Sequence, residues 1–204
     1  MRYPISLRQG DEIPLNYIKN LRIKLSWNVP HKSNWSFFAN CFSENTFECN
    51  AYMLMYQEEY IADTEDIISY CNSEHHSKSL KYLGKCVNDR GGVSEIMLVN
   101  LDKVPLKYDA IVFIANISKA ISRGQDFGMI NKAYIQITNE DTNKKICRYD
   151  LAGRYDDMNT VFFGGLFRCK NGWEFAAIGE GTMDESLEYM LTQFSQSENV
   201  AIAL

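Results

Sequence analysis

A strict two-residue alternation between apolar and polar side chains is the feature that most constrains the fold of this chain. In the segment LRIKLSW, residues 21–27, the odd positions are Leu21, Ile23, Leu25 and Trp27, and the even positions are polar. A strand with this period buries one face and exposes the other, as antiparallel sheets allow. The segment therefore predicts a half-buried strand of an antiparallel sheet.

Further segments with strand-like character follow along the chain. Residues 47–56 form a longer apolar run rich in Tyr and Met, which predicts a strand buried on both faces. The other predicted strands are short segments at residues 67–70, 95–101, 110–116, 133–137, 146–151, 160–169 and 173–178. The polar stretch at residues 72–81 predicts an exposed loop.

Two turn signals join neighbouring strands. Residues 139–143, with the sequence NEDTN, have the composition of a hairpin loop. Asn171 and Gly172 lie between two strand-like runs and can supply the positive φ angles of a tight hairpin. Short strands separated by turns, with little helical pattern, favour a β-sandwich.

One helix is predicted near the end of the chain. Thr182 and Glu185 have the spacing of a capping box, in which each side chain accepts from the other residue's backbone amide. The residues that would share its apolar face are Met183, Leu187, Met190, Leu191 and Phe194. We therefore predict an all-β fold, a two-sheet antiparallel β-sandwich with a C-terminal helix. Residues 1–204 would form a single domain, closed by the helix at 182–196.

Composition excludes several classes of function. Of 204 residues, 46% are hydrophobic, which is enough for a sizeable core, and the net charge of −5 argues against nucleic-acid binding. No segment is apolar enough over the length that spans a bilayer, and the first residues lack the apolar run of a signal peptide. We expect a cytoplasmic protein without membrane insertion, whose six cysteines are reduced thiols.

Several motifs in a fixed order carry a resemblance to a known family. They are ISLRQGDEIPLN (5–16), LRIKLSW (21–27), LVNLDKVP (98–105), IVFIANI (111–117), RGQDFG (123–128), AYIQITNEDTNKKICRYDL (133–151) and VFFGGLFRCKNGWEFAAIGEG (161–181). Together they resemble the TerD domain, and the opening segment is similar to the first hairpin of that family. The resemblance covers residues 5–181.

The resemblance implies a two-sheet β-sandwich, calcium binding, and a role in tellurium resistance or general stress response. It implies no catalytic reaction, so we expect a binding or scaffold protein rather than an enzyme. Its implied partners are other Ter-type stress-response proteins. The resemblance leaves the oligomeric state open.

The family's calcium ligands match this chain only in part. By the resemblance, an Asp-x-Asp strand motif and an acidic loop hold the ion. The matching positions here are Glu48, Asn50, Asn88, Asp89 and Glu95, and Lys85 lies where the family has an aspartate. Calcium takes six to eight hard oxygen ligands, whereas an ammonium group offers no lone pair and repels a divalent cation. The departure predicts reduced or lost calcium binding.

Three interpretations of this region remain open. Lys85 or Arg90 could replace the ion and neutralise Glu48 and Glu95 from within the protein. The loop could instead be solvated, with no substitute for the ion. In the third interpretation, Glu48, Asn50, Asp89 and Glu95 still assemble a functional calcium site.

The cysteines and histidines suggest two further chemistries. Cys71, His75, His76 and Cys86 offer two sulfurs and two imidazoles, the ligand types of zinc, but their spacing matches no zinc-finger arrangement. The same residues, with Glu74 as an orienting carboxylate, could form the Cys–His pair of a thiol-dependent hydrolase. We favour an exposed loop over both, and the hydrolase stays as the alternative from a different class of function.

Two other segments have unusual composition. Arg123–Gly128 contains two glycines but lacks the pattern of a phosphate-binding loop, so it predicts a turn whose glycines stand where side chains would clash. Residues 31–45 are rich in aromatic and polar side chains without clean periodicity. A long aromatic loop of this kind predicts a partner-binding surface.

Overall fold

The structure is a computed structural model that describes residues 4–29, 47–58, 60–61, 63–87 and 92–183. Within these ranges the chain forms strands, one short α-helix, α1 (Ala120–Arg123), and three 3₁₀ turns (Thr64–Asp66, Leu101–Lys103 and Phe127–Met129). The strands are β1 (Ile5–Leu7), β2 (Glu12–Pro14), β3 (Asn20–Asn28), β4 (Cys49–Tyr56), β5 (Ile67–Ile68), β6 (Leu80–Val87), β7 (Gly92–Asn100), β8 (Ala110–Ile117), β9 (Asn131–Asn139), β10 (Lys144–Asp150), β11 (Thr160–Cys169) and β12 (Gly172–Thr182).

The strands form two six-stranded sheets, which confirms the predicted two-sheet, all-β architecture. Sheet A has the order β1-β10-β9-β3-β7-β6, and sheet B has the order β2-β12-β11-β8-β4-β5. The pairings are antiparallel except that β1 runs parallel to β10. Parallel strands cannot be joined by a tight turn. This pair satisfies that rule, because its two strands lie far apart in the chain.

The opening segment differs from the predicted hairpin. A turn is present, because the Asp11 amide donates to the Arg8 carbonyl and Gly10 adopts a positive φ of 82°. However, β1 pairs with β10 in sheet A, whereas β2 pairs with β12 in sheet B. The segment therefore crosses from one sheet to the other instead of pairing with itself.

The alternation in β3 places its apolar side chains between the sheets. Leu21, Ile23 and Leu25 are fully buried in the main core, while Arg22 and Lys24 lie on the outer face. Each such buried aliphatic side chain contributes roughly 1.5–3 kcal/mol relative to an exposed one. The register of β3 is therefore fixed, since a shift by one residue would bury the cations.

Strand β4 is buried on both faces, as its continuous apolar run predicts. Ala51, Met53 and Met55 join the main core between the sheets. On the opposite face, Leu54 and Tyr56 belong to a second apolar cluster on sheet B. Because β4 pairs with the fully buried strand β8, the middle of sheet B is apolar on both sides.

Both predicted hairpins are present. Strands β9 and β10 are joined at residues 139–144, and β11 and β12 are joined around Lys170 and Asn171. Gly172 has a φ of 126°, a backbone conformation that residues with a Cβ atom rarely adopt. The predicted turn at Arg123–Gly128 is also present. Gly124 has a φ of 58°, and a Cβ on Gly128 would lie 2.6 Å from Asp156 Oδ1.

The sequence analysis missed strand β6, and the prediction of an exposed loop at residues 72–81 is wrong in part. His75 and Ser79 are buried, and Leu80 begins β6. The register of β6 shifts between Tyr82 and Gly84, where φ is 126°. Such a bulge breaks the two-residue period that reveals strands in a sequence.

Two predicted features lie outside the described residues. The chain is described through the end of β12 at Thr182 and through Met183, so the predicted helix beyond them is not among the described residues. The same holds for the aromatic segment at 31–45. Among the described residues, no helix has the length and apolar character needed to cross a bilayer.

Candidate functional site

A buried glutamate occupies a core position on β7. The inward side chains of this strand are Val93, Glu95, Met97 and Val99, and the Glu95 side chain has 0% exposure. Burial of a charged group in a core is costly unless the group is paired and hydrogen-bonded. The surroundings of Glu95 therefore identify the most unusual site in the described part of the chain.

Glu95 is held by partners from two other strands, β4 and β6. Its Oε2 accepts hydrogen bonds from the Ala51 backbone amide at 3.0 Å and from the Tyr82 hydroxyl at 3.0 Å. Its Oε1 lies 3.4 Å from the Lys85 Nζ. Burial raises the pKa of Glu95, whereas the Lys85 ammonium and these hydrogen bonds act in the opposite direction. Oε2 thus accepts two hydrogen bonds, whereas Oε1 is balanced only by the charge of Lys85 and has no hydrogen-bond partner among the described residues.

The Lys85 ammonium contacts oxygens from both sheets. Lys85 lies directly opposite Glu95 in the pairing of β6 with β7. Its Nζ donates to the Cys49 carbonyl at 2.6 Å and to Asn50 Oδ1 at 3.2 Å, both on β4 of sheet B. We call Lys85, Glu95, Asn50 and the Cys49 carbonyl the Lys85 cluster. Its ammonium links one sheet to the other.

An aromatic ring also borders this cluster. Lys85 Nζ lies 6.0 Å from the ring centroid of Trp27, which is fully buried. A cation near the face of an aromatic ring is attracted by the ring's electrostatic quadrupole. The ring therefore adds a further favourable contact for a positive charge at this position.

The predicted metal-site residues are only partly brought together. Glu95, Asn50 and Lys85 meet in the Lys85 cluster, but Glu48 pairs elsewhere, with Arg123 Nη1 at 3.5 Å. The partner of Glu48 is therefore an arginine of α1, which the sequence analysis did not identify. Asn88, Asp89 and Arg90 lie outside the described residues.

Among the described residues, those around Lys85 supply fewer oxygens than a calcium ion takes. They offer one carboxylate, one side-chain amide and one backbone carbonyl, whereas calcium takes six to eight oxygens. The ammonium already stands among these three oxygens, and two cations cannot share such a position. The described ranges also contain no group of three or more His, Cys, Asp or Glu residues placed to hold a metal.

In the structure, the cysteines and histidines of this region do not come together as either the zinc site or the Cys–His pair would need. Both ring nitrogens of the buried His75 face other groups: Nδ1 lies 2.6 Å from Ser77 Oγ, and Nε2 lies 3.4 Å from Asp66 Oδ1. Cys71 and His76 are exposed and border one shallow groove together with Glu65. The buried imidazole is therefore directed away from a thiol.

His75 belongs to a buried polar cluster that the sequence analysis missed. The Tyr108 hydroxyl donates to Asp66 Oδ1 at 2.5 Å, and the Asp66 Oδ2 accepts from the Asp63 amide. Burial lowers the pKa of His75, and the neighbouring His76 lowers it further, while Asp66 opposes the shift. Asp63 and Asp66 form the capping box of a short 3₁₀ turn, and this spacing is a signal in the sequence.

The fold and the Lys85 cluster define a class: a two-sheet β-domain with a lysine ammonium bound to oxygens of both sheets. The sequence model of the TerD domain family matches residues 3–194. The chain therefore belongs to the TerD domain family.

Three proteins with related sequences carry names for stress response or tellurium resistance. The chain is 29% identical over 197 residues to "Stress response protein SCP2" of Bacillus subtilis, covering 93% of this chain and 98% of that protein. It is 28% identical over 182 residues to "Tellurium resistance protein TerD" of Serratia marcescens, covering 87% and 90%. It is 36% identical over 121 residues to "General stress protein 16U" of Bacillus subtilis, covering 59% and 63%.

A solved structure shares the fold. It is that of a homologue of telluride resistance protein (TerD) from Streptomyces coelicolor A3(2), with a TM-score of 0.62 at 10% identity. The match covers 87% of this chain and 98% of that chain. At this identity the likeness concerns the fold alone.

Proposed function

We propose that the protein is a stress-response binding or scaffold module of the TerD type, which acts without catalysing a reaction. The observation that carries the proposal is the match to the TerD domain over residues 3–194. Relatives that align over most of their length carry names for stress response and tellurium resistance. Such names support a protective role under chemical stress rather than a metabolic one.

We further propose that calcium binding is reduced or lost. Support comes from the Lys85 ammonium, which contacts Cys49 O, Asn50 Oδ1 and Glu95 where a divalent ion would need those oxygens free. The competing proposal is a functional calcium site built from Glu48, Asn50, Asp89 and Glu95. The pairing of Glu48 with Arg123 weighs against it.

The partners and location are also proposals. We propose that the module acts in the cytoplasm together with other Ter-type proteins, and relatives named as tellurium resistance proteins TerD and TerX support the choice of partners. The net charge of −5 gives no general attraction to nucleic acid.

The stress role can be tested in the source organism. Deletion of the gene should lower survival under tellurite or oxidative challenge, and a plasmid copy should restore it. A tagged, functional copy should co-purify with Ter-type proteins after crosslinking in stressed cells. Unchanged survival under a panel of such stresses, with no Ter-type protein captured, would contradict the proposal.

Calcium binding needs a separate test on the purified protein. We expect the melting temperature to be the same in calcium and in chelator, because only a ligand that binds the native state shifts it. Isothermal calorimetry should give no saturable calcium heat. Stoichiometric binding, accompanied by a higher melting temperature, would support the competing calcium protein.

A further inference from the structure

The Lys85 cluster joins the two sheets at the edge of the sandwich. Strand β6, which carries Lys85, is an edge strand of sheet A, and β4, which carries Asn50, lies next to the edge of sheet B. Glu95 comes from β7, the neighbour of β6. Oxygens from both sheets thus face a single positive charge, so that charge holds the sheets together at this edge.

The chemistry of the cluster is that of a cation site. An ammonium group has three donor hydrogens, and three oxygens lie near Lys85 Nζ at 2.6, 3.2 and 3.4 Å. Carboxylate, amide and backbone carbonyl oxygens are also the groups that bind hard metal ions. Glu95 and Asn50 are buried, so water cannot readily replace the ammonium as a partner for their oxygens.

We propose that the Lys85 cluster is a cation site that the chain fills with its own ammonium. Removing the ammonium leaves a site for a hard divalent cation of the calcium type. This inference rests on the proposed loss of calcium binding and explains it as a replacement of the ion rather than a loss of the site. The contact between the sheets is then independent of the calcium concentration around the protein.

The substitution Lys85→Asp provides the test. Position 85 faces Glu95 directly, and side chains opposite each other in antiparallel strands have Cβ atoms about 4.5–5.5 Å apart. The variant therefore places two carboxylates close together, and they repel each other without a cation. We expect a lower melting temperature in chelator and a recovery that grows with the calcium concentration.

Three comparisons make this test specific. Lys24→Asp makes the same charge change on the outer face of sheet A, where Lys24 faces Ile96 and Gln136 on the neighbouring strands, so calcium should not stabilise it. Lys85→Asn supplies an oxygen without a second charge and should respond weakly, which keeps the test valid if Lys85→Asp does not fold. Magnesium at the same concentration should stabilise Lys85→Asp less, because it gives up its bound water reluctantly.

The outcomes separate this inference from the proposed function. A calcium response of the unmodified protein would contradict the proposed loss of calcium binding. If calcium changes the melting temperature of neither the unmodified protein nor Lys85→Asp nor Lys85→Asn, the inference fails while the proposed function stands. An equal response of Lys24→Asp would also overturn it, because calcium binding would then follow net charge instead of the cluster.

Discussion

Replacement of Lys85 by Met tests how much the ammonium contributes to stability. The variant keeps an apolar side chain of similar length but leaves the carboxylate of Glu95, at 0% exposure, without its ion-pair partner. Breaking a buried pair by removing one partner costs about 3–5 kcal/mol. Because the Lys85 side chain is 32% exposed, solvent screens part of this interaction, and we expect a loss of about 2–3 kcal/mol.

Urea unfolding at several pH values measures this loss. Burial raises the pKa of Glu95, and removal of the ammonium takes away a group that opposes this rise. A carboxyl whose pKa is raised in the folded state destabilises the protein progressively as the pH rises above its ordinary, unfolded-state pKa, because the unfolded state ionises first. The cost of Lys85→Met should therefore be largest at high pH and shrink as the pH falls toward the ordinary carboxyl pKa of 4.5.

Three further variants complete the measurement. Lys81→Met removes an exposed ammonium whose pair with Glu74 should contribute less than about 1 kcal/mol. Glu95→Gln removes the buried charge, so the combined Lys85→Met and Glu95→Gln variant should lose much less than the sum of the two single losses. The reasoning would be refuted if Lys85→Met cost no more than Lys81→Met, or if the two losses simply added.

Three further predictions concern other parts of the fold. Burial lowers the pKa of His75, so the unfolded state takes up a proton first as the pH falls. The free energy of unfolding should therefore decrease as the pH drops below about 6.5. In urea unfolding, His75→Gln should show a weaker dependence of this free energy on pH in that range. Gly164→Ala should lose about 1–3 kcal/mol in thermal or urea unfolding, because its Cβ would lie 2.6 Å from the buried ring of Phe175. With an alkylating reagent at neutral pH, buried Cys49, whose pKa is raised by burial, should react far more slowly than exposed Cys71. An unusually fast Cys71 would favour the thiol-dependent hydrolase instead.

The sequence predicts the strands with regular periods well. Strand β3 follows from its alternation, and β4 follows from a continuous apolar run that fits burial on both faces. The Asn171-Gly172 hairpin follows from local turn chemistry. In these segments the periodicity of burial and the backbone preferences of the turn residues point to the same structure.

Features that depend on distant partners could not be predicted in the same way. Strand β6 escapes because a bulge at Gly84 interrupts its period. The assignment of β1 to sheet A depends on β10, more than a hundred residues later, and local sequence carries no sign of that pairing. Long-range pairing is set by the whole core rather than by the segment itself.

The grouping of Asn50, Lys85 and Glu95 could be predicted, but the other partners of the acidic residues could not. The resemblance identified Glu95, Asn50 and Lys85, and the structure places these three together. It could not indicate that Glu48 would pair with Arg123 from α1, or that Tyr82 would donate to Glu95. These partners are brought close by the crossing of elements in the fold, which residue spacing does not encode.

A crystal structure of the protein, from crystals grown in millimolar calcium, would test most directly whether the Lys85 ammonium replaces a calcium ion. We expect ordered density for the Lys85 side chain, with Nζ within hydrogen-bonding distance of the Cys49 carbonyl and Asn50 Oδ1. A calcium ion bound by Glu95 and Asn50, with the Lys85 side chain turned out to solvent, would contradict the account.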